Sequence, residues 1–316
     1  MKLQTQVPIP KETIHPIDYD SRLLLLGSCF SENIGNQLAF YKFQSLQNPF
    51  GILFHPAAIE QVITNAINQK VYTKSDLFFL NERWHCFEAH SSISATSEAQ
   101  ILQTLNHQIK ATYEQLHQAS HIVITLGTAW AYRHIETDSL VANCHKVPQK
   151  KFQKELLSIP EIVAHLEAII SLIRSINKNT TFVFTVSPVR HLKDGFIENQ
   201  QSKSHLIAAV RQLITPRKRI QYFPSYEIMM DELRDYRFYK EDMIHPNKTA
   251  IRYIWEQFCT SWVTAEAQQT MKEVLTIQNG LQHRPFVPHS EQHQQFLTQL
   301  NSKIKRIQKQ YPFMKF

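Results

Sequence analysis

The chain has 316 residues, 43% hydrophobic and 19% charged, a balance that excludes a disordered polypeptide and suffices for a substantial buried core. A formal charge of +7 and an isoelectric point near 9.1 would suit an anionic partner, but the basic residues are scattered through helical patterns, so a nucleic-acid partner is not expected. No apolar run reaches the length of a membrane span, the first residues lack the apolar core of a signal peptide, and Cys29, Cys86, Cys144 and Cys259 form no Cys-x-x-Cys pair, so a cytoplasmic protein with reduced thiols is the expectation.

In chain order, Leu23 to Leu26 is a short apolar run ending at Gly27-Ser28, and a helical pattern follows from Ser31 to Tyr41. A strand is expected near Lys42 to Leu46, then a helix from Pro56 to Gln69. Leu77 to Leu80 and Arg83 to Phe87 flank Asn81-Glu82 and predict a β-hairpin. The amphipathic stretch Ser97 to Ala119 leads into a second buried run, Ile122 to Leu126, and a second hairpin pairs Trp130 to Ile135 with Leu140 to Cys144. Helices over Pro160 to Ile176, Gln200 to Ile214 and Asn247 to Trp262 are interleaved with strands over Thr181 to Val186 and Arg219 to Phe223. Strands alternating with helices predict right-handed crossovers and a mostly parallel sheet of about five strands covered on both faces, a three-layer α/β/α sandwich. Phe296, Leu300, Ile304 and Ile307 recur at helical spacing among Lys303, Lys305, Arg306 and Lys309. They predict an amphipathic terminal helix packed on the body or on a second subunit. One domain over residues 1–264, with hairpin insertions near 76–90 and 130–145, and a helical extension over 265–316 is the expected organisation.

Chemistry concentrates at three positions. Ser28 stands where a buried strand turns into a helix, the edge at which open α/β folds bind ligands. Asp242 and His245, three residues apart before Pro246, bring a carboxylate and an imidazole into one loop, the pairing a serine nucleophile needs. The plain alternative has Ser28 as a helix N-cap and the other two as exposed loop residues. Gly27, Gly51 and Gly127 fall in the loop motifs and mark a plausible pocket, with the second hairpin as a wall. No His-Glu-x-x-His, phosphate loop or dinucleotide fingerprint occurs, so neither metal nor cofactor is expected.

The segments Gly27-Ser28-Cys29-Phe30, Asn48-Pro49-Phe50-Gly51, Leu126 to Trp130, Asn143 to Lys146 and Asp242 to Pro246 resemble the GSCFA family, which belongs with the SGNH (GDSL-like) hydrolases. The resemblance runs from about Ser21 to about Trp262. It implies a flavodoxin-like fold and a triad of Ser28, Asp242 and His245 acting on a small-molecule acyl ester. It also implies an oxyanion site built from the Ser28 N–H, a glycine N–H matched by Gly51, and an asparagine carboxamide. Here the family's Gly-x-Asn reads Gly127-Thr128-Ala129, so the carboxamide is missing. Asn143 is the expected substitute, with Thr128 and Asn48 as further candidates, although Asn143 could equally cap a turn. Arg190, in Ser187 to His191, matches the family and could bind an anionic part of the substrate or pair with Asp194. The expected function is a serine esterase removing a small acyl group from a carbohydrate or related metabolite through an acyl-Ser28 intermediate. The alternative is a non-catalytic ligand-binding protein on the same scaffold. A homo-oligomer through the terminal helix is a further expectation.

Overall fold

The computed structural model describes residues 5–316. The first unit comprises β1 (Arg22–Gly27), α1 (Cys29–Phe40) and β2 (Gln44–Gln47). α2 (Pro56–Ile67), the hairpin β3 (Phe78–Leu80) and β4 (Arg83–His85), and α3 (Glu98–Gln118) lead to β5 (His121–Leu126). Next come β6 (Trp130–His134), β7 (Ser139–Val141), β8 (Phe152–Leu156), α4 (Ile159–Ile176) and β9 (Thr181–Val186). α5 (Phe196–Leu213), β10 (Ile220–Tyr222), the short turn α6 (Ser225–Glu227) with its π-helical continuation Ile228–Glu232, α7 (Lys248–Trp262), α8 (Ala265–Gln282) and α9 (Glu291–Gln310) complete the chain.

The central sheet has five strands in the order β10-β9-β5-β1-β2, and every neighbouring pair is parallel. The chain moves outward from β1 to β2, then returns across β1 to β5 and continues to β9 and β10. Because parallel crossovers are right-handed, that reversal places α1 and the helices α2 to α5 on opposite faces. Alternation within the strands matches the two faces. Leu24, Leu26, Ile122, Ile124, Phe182 and Phe184 pack into the cluster under α2 to α5. Leu23, Leu25, Val123 and Val183 join the cluster that contains α1, α7 and α8. Each fully buried leucine contributes about 2 kcal/mol, which makes β1 the anchor of both layers.

The predicted strands are present, with shifted ends. Lys42 takes a left-handed φ of 65°, so β2 begins only at Gln44. Asn81 and Glu82 have φ of 48° and 59°, the mirror-image turn that matches strand twist, so the first hairpin closes there. The second hairpin is larger than predicted. β8 adds to β6 antiparallel and makes a three-stranded sheet in the order β7-β6-β8. Its sequence, Phe152 to Leu156, carries Gln153, Lys154 and Glu155, and pairing with β6 rather than its own apolar content makes it a strand.

α9 packs within its own chain. Leu300 and Ile307 are buried in the cluster holding α1, α7 and α8, Phe296 and Ile304 are packed against it, and Arg306 pairs with Glu273 of α8 at 2.8 Å. Gln278 of α8 donates to the Phe40 carbonyl at the end of α1. At the other end of α7, Ile17 N–H donates to the Trp262 carbonyl at 2.7 Å, so the N-terminal segment ties down the same layer.

Gly27 closes β1 at φ +129°, and a Cβ there would lie 2.1 Å from the Thr125 carbonyl oxygen of β5. Neither strand can yield without breaking the sheet. Gly27→Ala is therefore expected to lower the unfolding free energy by about 3 kcal/mol or more, read by urea denaturation. A loss below about 1 kcal/mol would contradict this account of the turn.

Candidate active site

β1 and β5 are the strands between which the chain changes direction, so their carboxyl ends frame the crevice in which open α/β sheets hold ligands. Ser28 occupies that place. Its N–H donates to the Thr125 carbonyl at 3.0 Å, extending the pairing by one residue. With φ −70° and ψ 172° it is also the N-cap of α1, its Oγ accepting the Phe30 N–H at 3.3 Å. Ser28, the expected nucleophile, therefore takes the N-cap position that was its plain alternative. The residue is 0% exposed. The neighbouring Cys29 thiol is pushed up by burial and by Glu32, which suits an inert thiol.

A strap from Asn48 to Phe54 crosses the ends of β1 and β5. Asn48 N–H donates to the Leu25 carbonyl, its Oδ1 accepts the Gly27 N–H at 2.9 Å, and Leu53 N–H donates to the Gly27 carbonyl. At the far end the Phe54 carbonyl accepts the N–H groups of both Gly127 and Thr128, at 2.8 and 3.0 Å. The space left by Gly127 explains the glycine. A Cβ there would stand 3.2 Å from Phe54 Cδ1 and 3.3 Å from Ser28 Cβ, so the Phe54 ring and the serine share that gap.

These bonds decide which expected oxyanion donors are free. The Ser28 N–H is engaged by Thr125 and the Gly51 N–H by the Asn48 carbonyl at 2.7 Å, so in this geometry neither points at a ligand. Gly51 instead has φ +74° and passes His90 so closely that a Cβ would come within 2.5 Å of it. Thr128 Oγ1 bonds Ser202 Oγ and accepts the Trp130 N–H, which closes a turn. Asn143 Oδ1 accepts the His145 N–H at 2.8 Å, the turn-capping alternative. Asn48 differs from all of these. Its Nδ2 is buried with no partner, one of the few such atoms among the described residues, while its Oδ1 is fixed on the Gly27 N–H at the end of β1.

Asp242 and His245 form a compact unit. Asp242 Oδ1 accepts the N–H groups of Ile244 and His245 at 2.8 and 2.9 Å, and Oδ2 meets His245 Nδ1 at 2.7 Å. The backbone bonds from His245 and Ile244, then the ring bond, pull the Asp242 carboxyl down to about 2. An ionised carboxylate only accepts, so Nδ1 carries the proton in this bond and Nε2 is the ring nitrogen the bond leaves free. Both side chains are half-exposed, and among the described residues no hydrogen bond joins His245 to Ser28.

The segment after β9 bridges the two. Arg190 N–H donates to the Ile244 carbonyl at 3.3 Å, and its guanidinium lies 4.3 Å from the Tyr239 ring. The expected pairing with Asp194 does not form, because Lys154 of β8 holds that carboxylate at 2.5 Å. His191 meets the Phe54 ring edge-on at 5.4 Å. Burial, then the proximity of Lys203 and His245, push its pKa down to about 3, so the ring is neutral, and its buried Nε2 has no partner. Beside this pair opens a cavity of about 370 Å³ lined by Thr128, Trp130, Tyr132 and Asn143, with the second hairpin as its wall. A larger groove of about 810 Å³ between α1, α7 and α8 contains none of these residues.

Lys203 of α5 was not among the expected site residues. It is 1% exposed, and its Nζ donates to the carbonyls of Gly127 and Ser187 at 2.6 and 2.8 Å.

Fold and site together define an α/β protein with a serine at the switch point of a parallel sheet and a carboxylate–imidazole pair on the same edge. The family model described as "GSCFA family" matches residues 22–258, and that described as "GSCFA domain protein, C-terminal domain" matches residues 274–316. The chain belongs to the GSCFA family. No curated protein matches it. Among solved structures, a carbohydrate esterase family 3 protein from Talaromyces cellulolyticus is similar at 8% identity and a TM-score of 0.38, covering 80% of this chain and 99% of that one. An acetyl esterase mutant with acetate ion is similar at 9% identity and a TM-score of 0.37, with the same coverage.

Asp242 organises its loop through two backbone bonds and one ring bond, so Asp242→Ala should accelerate amide hydrogen exchange at Ile244 and His245 on the order of tenfold. Unchanged protection at both amides would contradict the arrangement. In the wild-type protein the carboxylate stays charged down to about pH 2, so these bonds should persist through mildly acid conditions and be lost only as pH falls through that value.

Proposed function

We propose that the protein is a serine acyl hydrolase of the SGNH plan, removing a small acyl group from a carbohydrate or related metabolite. The observation that carries this reading is the Asp242–His245 bond of 2.7 Å, which leaves a basic Nε2 on the sheet edge that also bears Ser28. Ser28 Oγ attacks the acyl carbonyl as His245 Nε2 takes its proton. The tetrahedral intermediate then collapses, the alcohol leaves with the proton from His245, and water repeats the sequence on the acyl-Ser28 ester. Asn48 Nδ2, buried and unpaired beside Gly27, is the donor that suits the developing oxyanion and takes the place of the absent Gly-x-Asn carboxamide. The neutral imidazole of His191 and the rings of Trp130 and Tyr132 offer the adjoining cavity to a polar, ring-shaped leaving group.

One observation favours a second reading, a ligand-binding protein without chemistry. Ser28 is fully buried and not bonded to His245, so catalysis requires a shift of the covering side chains. Fluorophosphonate labelling separates the two readings. Label on Ser28 supports the hydrolase, and a wild-type protein inert to the probe and to p-nitrophenyl acetate would overturn it.

Ser28→Ala should abolish both labelling and hydrolysis while costing only the N-cap bond, about 1 kcal/mol of stability. Wild-type turnover in that variant would remove Ser28 as nucleophile. Asn48→Ala should lower kcat by roughly a hundredfold with KM little changed, whereas Asn143→Ala should stay within a few-fold of wild type. The reverse ranking would move the oxyanion donor to the hairpin.

Any loss of hydrolysis toward mildly acid pH should follow the slope of a single ionisation. Asp242, held at about 2, stays charged across that range and adds no second proton. EDTA should leave the rate intact. A two-proton acid limb, or recovery of lost activity on adding zinc, would contradict this mechanism.

A further inference from the structure

Lys203 is a charged side chain with no carboxylate to meet it. It lies on the core face of α5 and its ammonium ends between the carboxyl termini of β5 and β9, donating to one carbonyl on each: Gly127 and Ser187. Burying an unpaired ammonium is costly, and here burial drives the pKa down to about 7, with the Cys29 thiol acting weakly in the other direction. The other groups turned toward it are the neutral ring of His191 and the face of Tyr226 at 5.8 Å, whose hydroxyl donates to Gln200. Two carbonyls and one ring face offset that cost in part, but no opposite charge does. A methionine or leucine would fill the same place in the helix at lower cost.

The two carbonyls it joins lead to the two halves of the site. Gly127 abuts Ser28 Cβ and anchors the strap through Phe54, while four residues past Ser187 the chain reaches His191 and carries the Asp242–His245 loop through the bond from Arg190 N–H to Ile244. Neighbours on α5 act on the same segments. Ser202 Oγ accepts the Ala129 N–H at 2.7 Å, and Asn199 Oδ1 accepts the His191 N–H at 2.8 Å. Those two bonds each reach one segment. Lys203 alone among them spans both.

Resting on the hydrolase reading above, we propose that Lys203 is a positioning residue, a buried clamp that fixes the nucleophile side of the site against the segment carrying its base. It touches no reacting atom in this arrangement. Its effect is on the distance and angle between Ser28 and His245, quantities to which turnover is steeply sensitive.

The test uses the full chain with Lys203→Met, which matches the side chain's length without its donors, and Lys203→Arg, which keeps charge and donors. In the methionine variant, amide exchange over residues 127–130 and 187–191 should rise on the order of tenfold. The rate of fluorophosphonate labelling at Ser28 and kcat for p-nitrophenyl acetate should fall on the order of a hundredfold, with KM within about twofold. The arginine variant should recover part of the lost rate. A folded methionine variant with wild-type exchange in both segments overturns the clamp. Faster exchange with unchanged kcat and labelling reduces Lys203 to a structural residue and overturns the positioning role. Should the methionine variant fail to fold, Lys203→Leu, also without donors, is read by the same criteria. A wild-type protein that takes no label overturns the hydrolase reading but not the clamp, which the exchange rates decide by themselves.

Discussion

The close passage of β1 and β5 at Gly27 is the constraint on which the rest of the site depends. With the Thr125 oxygen 2.1 Å from where a Cβ would stand, only glycine lets the two chains meet there, and the next residue pairs with that same oxygen. Ser28 is thus held by the sheet on one side and by the first turn of α1 on the other. Its place relates to the topology directly. The strand order reverses between β1 and β5, helices leave on opposite faces, and the crevice this opens is filled by the strap rather than by a helix.

Hydrogen-bond satisfaction explains much of what surrounds it. Buried N–H groups at the strand ends find partners within the protein, and the strap supplies them: the Phe54 carbonyl takes two, and the Asn48 side chain takes one. Against that background the exceptions carry information. Asn48 Nδ2 and His191 Nε2 are buried without partners, each costing about 1 to 3 kcal/mol that folding alone does not require. Both lie on segments that meet at Phe54. Lys203 adds a third departure from the rule that interiors avoid unpaired charge. Concentrated around one serine, such departures are what a site built for a ligand would leave behind.

The sequence disclosed the parts whose cause is local. Leu23 to Leu26, Ile122 to Leu126 and Thr181 to Val186 are apolar on both faces because both faces are covered, and that pattern is readable without the structure. Asn81-Glu82 announced a hairpin through turn chemistry. Where partners lie far away in the chain, reading stopped short. Gln153, Lys154 and Glu155 show no strand alternation, so β8 was invisible, and with it the lysine that captures Asp194 and leaves Arg190 to the tyrosines. Lys203 has an apolar-stripe position, with Leu206, Ala209, Val210 and Leu213 on the buried side, but a lysine in a helix reads as a solvated residue unless its carbonyl partners are known. Asn48 was one candidate among three. Its left-handed φ of 39° and its bond to Gly27, both tertiary features, set it apart.

Burial of Ser28 raises the question of which neighbouring element would yield to expose it, and magnitudes bear on the answer. The strap is fastened by five hydrogen bonds to β1 and to the loop after β5. At a net value of about 1 kcal/mol each, lifting it costs about 5 kcal/mol and leaves the open state near one part in several thousand. The Phe54 and His191 rings, by contrast, meet edge to face, a contact worth about 0.5 to 1.5 kcal/mol beyond the area it buries. Rotating them apart breaks none of those five bonds and keeps Asn48 and the switch-point turn in place. Asn48 and Ser28 then keep their geometry, and only the two rings move. The second hairpin, extended by β8, forms a wall of the cavity beside these rings. Its three strands stand outside the main sheet, so Trp130 and Tyr132 can wall a cavity at the strand ends without being needed by the core beneath.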